Sequence, residues 1–337
     1  MSSAPTAADV RAGGRRALAR AITLVESTLP EDRRDATALL DGVIDATGGA
    51  VRLGISGPPG VGKSTFIEAF GSHLTSIGHR VAVLAVDPSS SRSGGSILGD
   101  KTRMERLAAN PDTFIRPSPS RGELGGVARR TREALLLCEA AGFDVVVVET
   151  VGVGQSELAV GDMVDLFVLL ASPGAGDELQ GIKRGIMELA DLVVVTKADG
   201  DLAGPARHAA ADLANALHLL RPRHPGIEPQ VLLASSVTGE GVAEAWTAIE
   251  RTHEALQAGG HLDALRAKQA KSWLWSEVSA GLLERAQRDA RVAAELPRLE
   301  ADVAAGTLAP GVAARRLLDR LDASPDASGG GSLNRSD

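Results

Sequence analysis

Gly57-Pro-Pro-Gly-Val-Gly-Lys-Ser64 lies between the strand-like run 51–56 and a stretch with apolar residues at helical spacing. This junction of strand, glycine turn and helix decides the fold. It fits the pattern G-x-x-x-x-G-K-[ST] of a phosphate-cradling P-loop, in the context that pattern requires. Gly57, Gly60 and Gly62 let the backbone curl so that successive N–H groups point inward, where side chains would obstruct a phosphate. Pro58, Pro59 and Val61 complete the loop. A helix starting near Gly62 adds the partial positive charge of its N-terminus. Lys63 is then placed to reach the β- and γ-phosphates of a nucleotide, Ser64 to ligate Mg²⁺ through its hydroxyl, and Thr65 to touch the α-phosphate.

Working outward, β-branched runs at 51–56, 81–86, 143–149, 166–171, 192–196 and 230–235 alternate with helical patterns. That alternation predicts an α/β fold, a mostly parallel sheet flanked by helices on both faces. Segments 8–28 and 31–46 predict an N-terminal helical pair. Beyond the break at Gly259 and Gly260, segments 262–288, 293–304 and 310–321 predict a C-terminal helical arm suited to dimerisation. The expected organisation is an N-terminal helical segment over 1–48, a nucleotide domain over 49–258, the arm over 259–322, and a disordered tail over 323–337. The tail is rich in Ser, Gly, Asp and Asn and offers little apolar surface to offset ordering. Trp273 and Trp275 stand two apart on the arm, so they point to different sides, and one of them suits an interface.

A phosphate loop needs an acid at the tip of another strand to hold the shell of Mg²⁺, which prefers octahedral oxygen coordination. Glu149 ends the valine run 145–148 and is expected at the C-terminal edge of the sheet. Gly152 follows, placed to offer its N–H to the γ-phosphate, so 149–152 reads as a switch segment. Asp87 ends the run 81–86, and Asp100 closes the polar loop that follows it. Both are expected near the metal, on a first switch that orders around Mg²⁺ and γ-phosphate. Thr196-Lys197-Ala198-Asp199 corresponds to the base-reading N-K-x-D pattern, with Thr in place of Asn. The Asp199 carboxylate accepts from guanine N1–H and its exocyclic amine together, whereas adenine would set an acceptor against it. GTP is therefore expected over ATP, with Thr196 tying this loop to the phosphate loop less completely than an amide would. Ser235, Ser236 and Val237 are placed to support the base from its other edge.

The whole-chain properties exclude several classes. The 337 residues carry a net charge of −7 and no basic stripe, which argues against nucleic-acid binding. The apolar runs are shorter than the ~20 residues a membrane-spanning helix needs. Cys138 has no CxxC partner and reads as a buried small hydrophobe, consistent with a reducing, cytoplasmic setting. Arg11, Arg15, Arg16 and Arg20 among alanines read as one side of an amphipathic helix rather than as a transit peptide.

The segments 57–65, 86–90, 99–104, Glu149-Thr-Val-Gly-Val-Gly-Gln-Ser-Glu157 and Ser172-Pro-Gly-Ala-Gly-Asp-Glu-Leu-Gln-Gly-Ile-Lys183 together resemble the MeaB/ArgK proteins. The likeness runs from the N-terminal helices through the arm. It implies a homodimeric GTPase, with GTP/GDP and Mg²⁺ as ligands, acting as chaperone of an adenosylcobalamin-dependent acyl-CoA mutase, typically methylmalonyl-CoA mutase. Such proteins gate cofactor loading and protect the mutase. The resemblance also implies a third switch over 172–185 that relays nucleotide state, with Lys183 as its ion-pairing residue. Asp177 and Glu178 supply further charges there, and glycines at 174, 176 and 181 supply backbone freedom. Gln155 stands three residues beyond Gly152, away from the usual place of a water-positioning glutamine, and no arginine finger can be singled out. Two rival readings remain at this point: a nickel-inserting GTPase, which lacks a Cys/His cluster here, and a kinase linked to amino-acid transport.

Overall fold

A computed structural model describes residues 4–86, 104–117, 124–150, 156–173 and 184–322. Among these, seven strands form one sheet: β1 (Val51–Ser56), β2 (Val81–Val86), β3 (Thr113–Arg116), β4 (Val145–Thr150), β5 (Leu166–Ala171), β6 (Leu192–Val195) and β7 (Gln230–Leu233). The order is β3-β2-β4-β1-β5-β6-β7, and every pairing is parallel. The α/β expectation therefore holds, with one strand more than the six expected. Thr113–Arg116 escapes a sequence reading because its four residues sit between Pro111 and Pro117 and show no sustained run.

Three helices precede the sheet: α1 (Ala7–Arg11), α2 (Arg15–Glu26) and α3 (Pro30–Val43). The single helix expected over 8–28 is thus two. Gly13, with φ of +74°, divides them, a left-handed conformation that glycine takes without a Cβ penalty. Leu18, Ala21, Ile22 and Val25 form the buried stripe of α2, the i, i+3, i+4, i+7 pattern of an amphipathic helix. The remaining helices are α4 (Lys63–Ser76), α5 (Glu105–Ala109), α6 (Leu124–Ala140), α7 (Ser156–Gly161), α8 (Arg184–Met187), α9 (Ala203–His218), α10 (Val242–Ala258), α11 (His261–Arg288), α12 (Ala290–Ala304) and α13 (Pro310–Asp322).

Strands β1, β2, β4, β5 and β6 are almost wholly buried, as continuous Val/Leu/Ile runs covered on both faces require. One face packs Phe66, Ile67 and Phe70 of α4 and Trp246 and Ile249 of α10 against β1 and β4. Another cluster joins β5 and β6 to Ala206, Leu213 and Leu217 of α9. Gly54 leaves no room for a side chain, since a Cβ there would stand 2.9 Å from Phe167 Cδ2 of β5 and 3.0 Å from Val160 Cγ1 of α7.

The strand entries are held by buried charges. The Asp165 carboxylate accepts from the Arg52 backbone N–H (2.9 Å), Arg266 Nε (2.9 Å) and Arg266 Nη2 (2.7 Å). Arg52 in turn donates to both oxygens of Glu139, at 2.8 and 2.9 Å. Asp191 accepts from the Phe167 N–H (2.7 Å) and from Arg223 Nη1 (2.8 Å). A buried charge is tolerated only when its partners replace water, and here each carboxylate is bidentate or multiply bonded. Burial nonetheless pushes the Asp191 carboxyl above its usual range, against the opposing charges of Arg223 and His224.

The chain divides into two compact units, Met1–Gln269 and Ala270–Asp337. Within the second, α12 and α13 pack against each other, with Val292, Leu299 and Ala313 buried. The Asp289 carboxylate caps α12, accepting from the N–H of Arg291 at 2.9 Å. On α11, Trp275 is 68% exposed beside exposed Leu274, Leu282 and Leu283. No helix among the described residues is long and apolar enough to cross a membrane.

Candidate nucleotide site

The phosphate loop leaves β1 at Gly57. A Cβ on Gly57 would stand 2.6 Å from the Leu170 carbonyl oxygen, so only glycine lets the loop pass the end of β5. Gly60 and Gly62 have φ of +79° and +96°, and Gly62 caps α4 in the left-handed conformation. The first-turn N–H groups of α4 thus face the loop's interior. Lys63 folds back over the loop, its Nζ 2.7 Å from the Gly57 oxygen and 3.2 Å from that of Pro58. Burial holds the Lys63 ammonium below its ordinary pKa, opposed by the charges of Glu149 and Glu157, which favour its protonated form. Pro59 and Gly60 are exposed, Ser64 is half-buried, and Thr65 is exposed on the first turn.

Glu149 lies on β4 beside Ile55 of β1 and Ala85 of β2. It is only 5% exposed, the placement expected of an acid at the C-terminal edge of a parallel sheet. Just beyond it, Thr150 Oγ1 donates to Ser56 Oγ at 2.7 Å, a buried pair that locks the end of β4 to the end of β1. Thr150 and Glu157, the latter 1% exposed on α7, fall within the segment 149–157 that carries the resemblance, but the sequence assigns neither a role. Both are polar residues at strand or helix ends, with no spacing signal of their own.

The side expected to take the base is built from two loops. Thr196 Oγ1 lies 2.7 Å from the Val61 carbonyl oxygen and 3.1 Å from that of Ala171. The threonine therefore does tie its loop to the phosphate loop, with one hydroxyl proton shared between two acceptors. Lys197 adopts φ of +55° and its Nζ donates to the Gly60 oxygen at 2.7 Å. Ser235 Oγ donates to the Asp199 carboxylate and accepts from the N–H groups of Val237 (3.2 Å) and Thr238 (3.1 Å). The Ala198 N–H reaches the Ala234 oxygen at 3.1 Å, closing the two loops on each other. Ser236 is half-buried, and Val237 is 84% exposed.

Asp87, Asp100, Gly152, Asp177, Glu178 and Lys183 lie outside the described residues, as does the tail over 323–337. Among the described residues, no three His, Cys, Asp or Glu side chains are grouped to hold a metal ion.

The family model for the methylmalonyl-CoA mutase-associated GTPase MeaB matches residues 18–291. The chain belongs to the MeaB family. A Mus musculus relative, the mitochondrial methylmalonic aciduria type A homolog, is 51% identical over 316 residues, covering 91% of this chain and 76% of that protein. The GTPase ArgK of Escherichia coli K12 is 51% identical over 274 residues, covering 81% and 83%. Among solved structures, that of a LAO/AO transport system kinase superposes with a TM-score of 0.73 at 40% identity, covering 94% of this chain and 96% of that one. As a member of the MeaB family with a P-loop fold, the protein is a guanine-nucleotide-binding GTP hydrolase.

Proposed function

We propose that the protein is a Mg²⁺-dependent GTPase that serves as chaperone of methylmalonyl-CoA mutase, gating adenosylcobalamin loading and protecting the enzyme. The observation that carries the reading is the joining of base loop and phosphate loop through Thr196 and Val61, with Lys63 and Glu149 beside them. The family's name, which associates its members with that mutase, supplies the partner.

The residues fit the ligands. Gly57 leaves the space a Cβ would fill, Lys63 supplies a cation for the β- and γ-phosphates, and Gly60, Val61, Gly62 and Thr65 line the cradle. Asp199, held by Ser235, reads guanine, while Lys197 and the segment 235–237 flank the base. Ser64, Asp87, Asp100 and Glu149 would hold Mg²⁺, which neutralises charge developing on the phosphates. Gly152 would donate to the γ-phosphate, and Asp177, Glu178 and Lys183 would relay nucleotide state to the partner. We place the protein in the cytoplasm as a homodimer joined through the C-terminal helices, where Trp275 offers an exposed aromatic anchor.

The deciding experiment is single-turnover GTP hydrolysis by the purified protein, alone and with methylmalonyl-CoA mutase, beside a Lys63→Ala control. Stimulation by the mutase that vanishes in the control is expected. Equal rates with and without the mutase would overturn the chaperone reading. Transfer of the γ-phosphate to a protein or an amino acid would favour the kinase reading, which the name of the superposed structure raises.

A further inference from the structure

The first unit carries a cleft of about 340 Å³ at the edge of the sheet, three strands away from β1 and its phosphate loop. Its apolar lining is Phe114 and Ile115 of β3, Ala19 of α2 and Ala108 of α5. Two arginines complete it, Arg15 and Arg16. Arg15 is fixed in place, donating from Nη1 to the Asn110 oxygen (3.2 Å) and from Nη2 to the Ala108 oxygen (3.1 Å). Arg16 makes no hydrogen bond or ion pair among the described residues, and neither arginine pairs with a carboxylate there. Arg116 of β3, by contrast, is neutralised by Glu26.

We propose that this cleft binds a small organic anion, a single carboxylate on a short aliphatic body. Arg16 takes the carboxylate, because a guanidinium fork with all its donors available matches two carboxylate oxygens. Arg15 adds charge from a fixed position. The body lies on Phe114, Ile115 and the two alanine methyls, a surface that an inorganic oxyanion could not use. The volume falls at the lower end of the range for small-molecule sites, which are mostly apolar with few placed polar groups. Nothing in this proposal depends on the mutase reading.

The test is an NMR titration of the full chain, labelled at arginine side chains and at its five phenylalanines, with butyrate, inorganic phosphate and butanol as separate probes. Butyrate should shift Arg16 and Phe114 together and saturate in the millimolar range expected of so small a ligand. Arg16→Gln should weaken that binding about tenfold, the loss of one charge-assisted contact, while GTP hydrolysis stays unchanged. Ala19→Leu, which fills the cleft and keeps both charges, should abolish it. The proposal fails if butyrate gives no saturable shift, or if butanol binds as tightly. It also fails if phosphate binds as tightly with Phe114 silent, which would mean a diffuse surface attraction, or if Ala19→Leu binds like the parent.

Discussion

The hydroxyl of Thr196 lies 2.7 Å from the Val61 carbonyl oxygen and 3.1 Å from that of Ala171, so one side chain joins the base loop, the phosphate loop and the end of β5. Thr196 is 2% exposed, and a buried carbonyl that loses its donor keeps the desolvation penalty. Thr196→Val should therefore weaken GDP binding by about tenfold, the lower end of the ~1–3 kcal/mol cost of orphaning buried acceptors. Thr196→Ser keeps the hydroxyl and should bind within about twofold of wild type. Fluorescent-GDP titration distinguishes these outcomes, and a Val variant that binds normally would show that the hydroxyl has no part in holding the nucleotide loops.

Asp199 is positioned by the Ser235 hydroxyl, which is itself held by two backbone N–H groups of its loop. An Asp199→Asn change places an amide N–H against guanine N1–H or its amine, replacing attraction by donor–donor opposition. GTP affinity should fall about 10- to 100-fold, since hydrogen bonds to a charged acceptor contribute ~1.5–3 kcal/mol. Affinity for ATP should change little. Competition of both nucleotides against labelled GDP measures the ratio, and an unchanged preference would remove Asp199 from base recognition.

Gly241 caps α10 with φ of +76°, and a Cβ there would stand 1.9 Å from the Leu233 carbonyl oxygen. The obstructing atom is backbone, immediately before Ala234 and Ser235, so no side chain can move aside. Gly241→Ala should lower the thermal midpoint by several degrees, from backbone strain of ~1–3 kcal/mol, and should also loosen GDP, because relief of the clash displaces the Ser235 loop. Gly60→Ala should lose far less through contact, since a Cβ at that position would meet nothing within 4 Å, although its φ of +79° still strains an alanine. Calorimetry and GDP titration of the pair separate the two effects.

Much of this arrangement is legible in the chain. The phosphate loop, Glu149 and the 196–199 segment are local patterns at strand ends, and a buried parallel strand is a short β-branched run, told from a buried helix by its length and its valines. The residues that sequence does not reveal make their contacts across long separations. Asp165 meets Arg266 some hundred positions on, Arg52 meets Glu139, and Thr150 meets Ser56. No spacing encodes such pairs, because they follow from the order in which strands assemble. Strand β3 is hidden for the opposite reason, being too short and too closely flanked by prolines to show a period.

His253 offers a test of the buried charge network in which these pairs sit. Its Nε2 is buried without a hydrogen-bond partner and stands 3.7 Å from the Asp165 carboxylate. Burial lowers its pKa below the ordinary 6.5, the Arg266 charge adds to the lowering, and Asp165 and Glu254 oppose it. In the unfolded chain the imidazole regains its ordinary pKa, so below about pH 6.5 the unfolded state binds the extra proton and folding stability falls. The loss deepens down to the folded-state pKa, with a slope of at most ~1.4 kcal/mol per pH unit for one proton. His253→Gln removes this titration and should flatten the acid limb of the stability profile. His224, also lowered by burial, and Asp191, raised by it, remain in both proteins and cancel in the difference. Urea unfolding at pH 7.5 and 5.5 measures it: the variant should lose less stability across that interval than the parent; equal losses would mean that His253 titrates alike in the folded and unfolded chain, and a larger loss in the variant that His253 is charged in the fold and paired with Asp165.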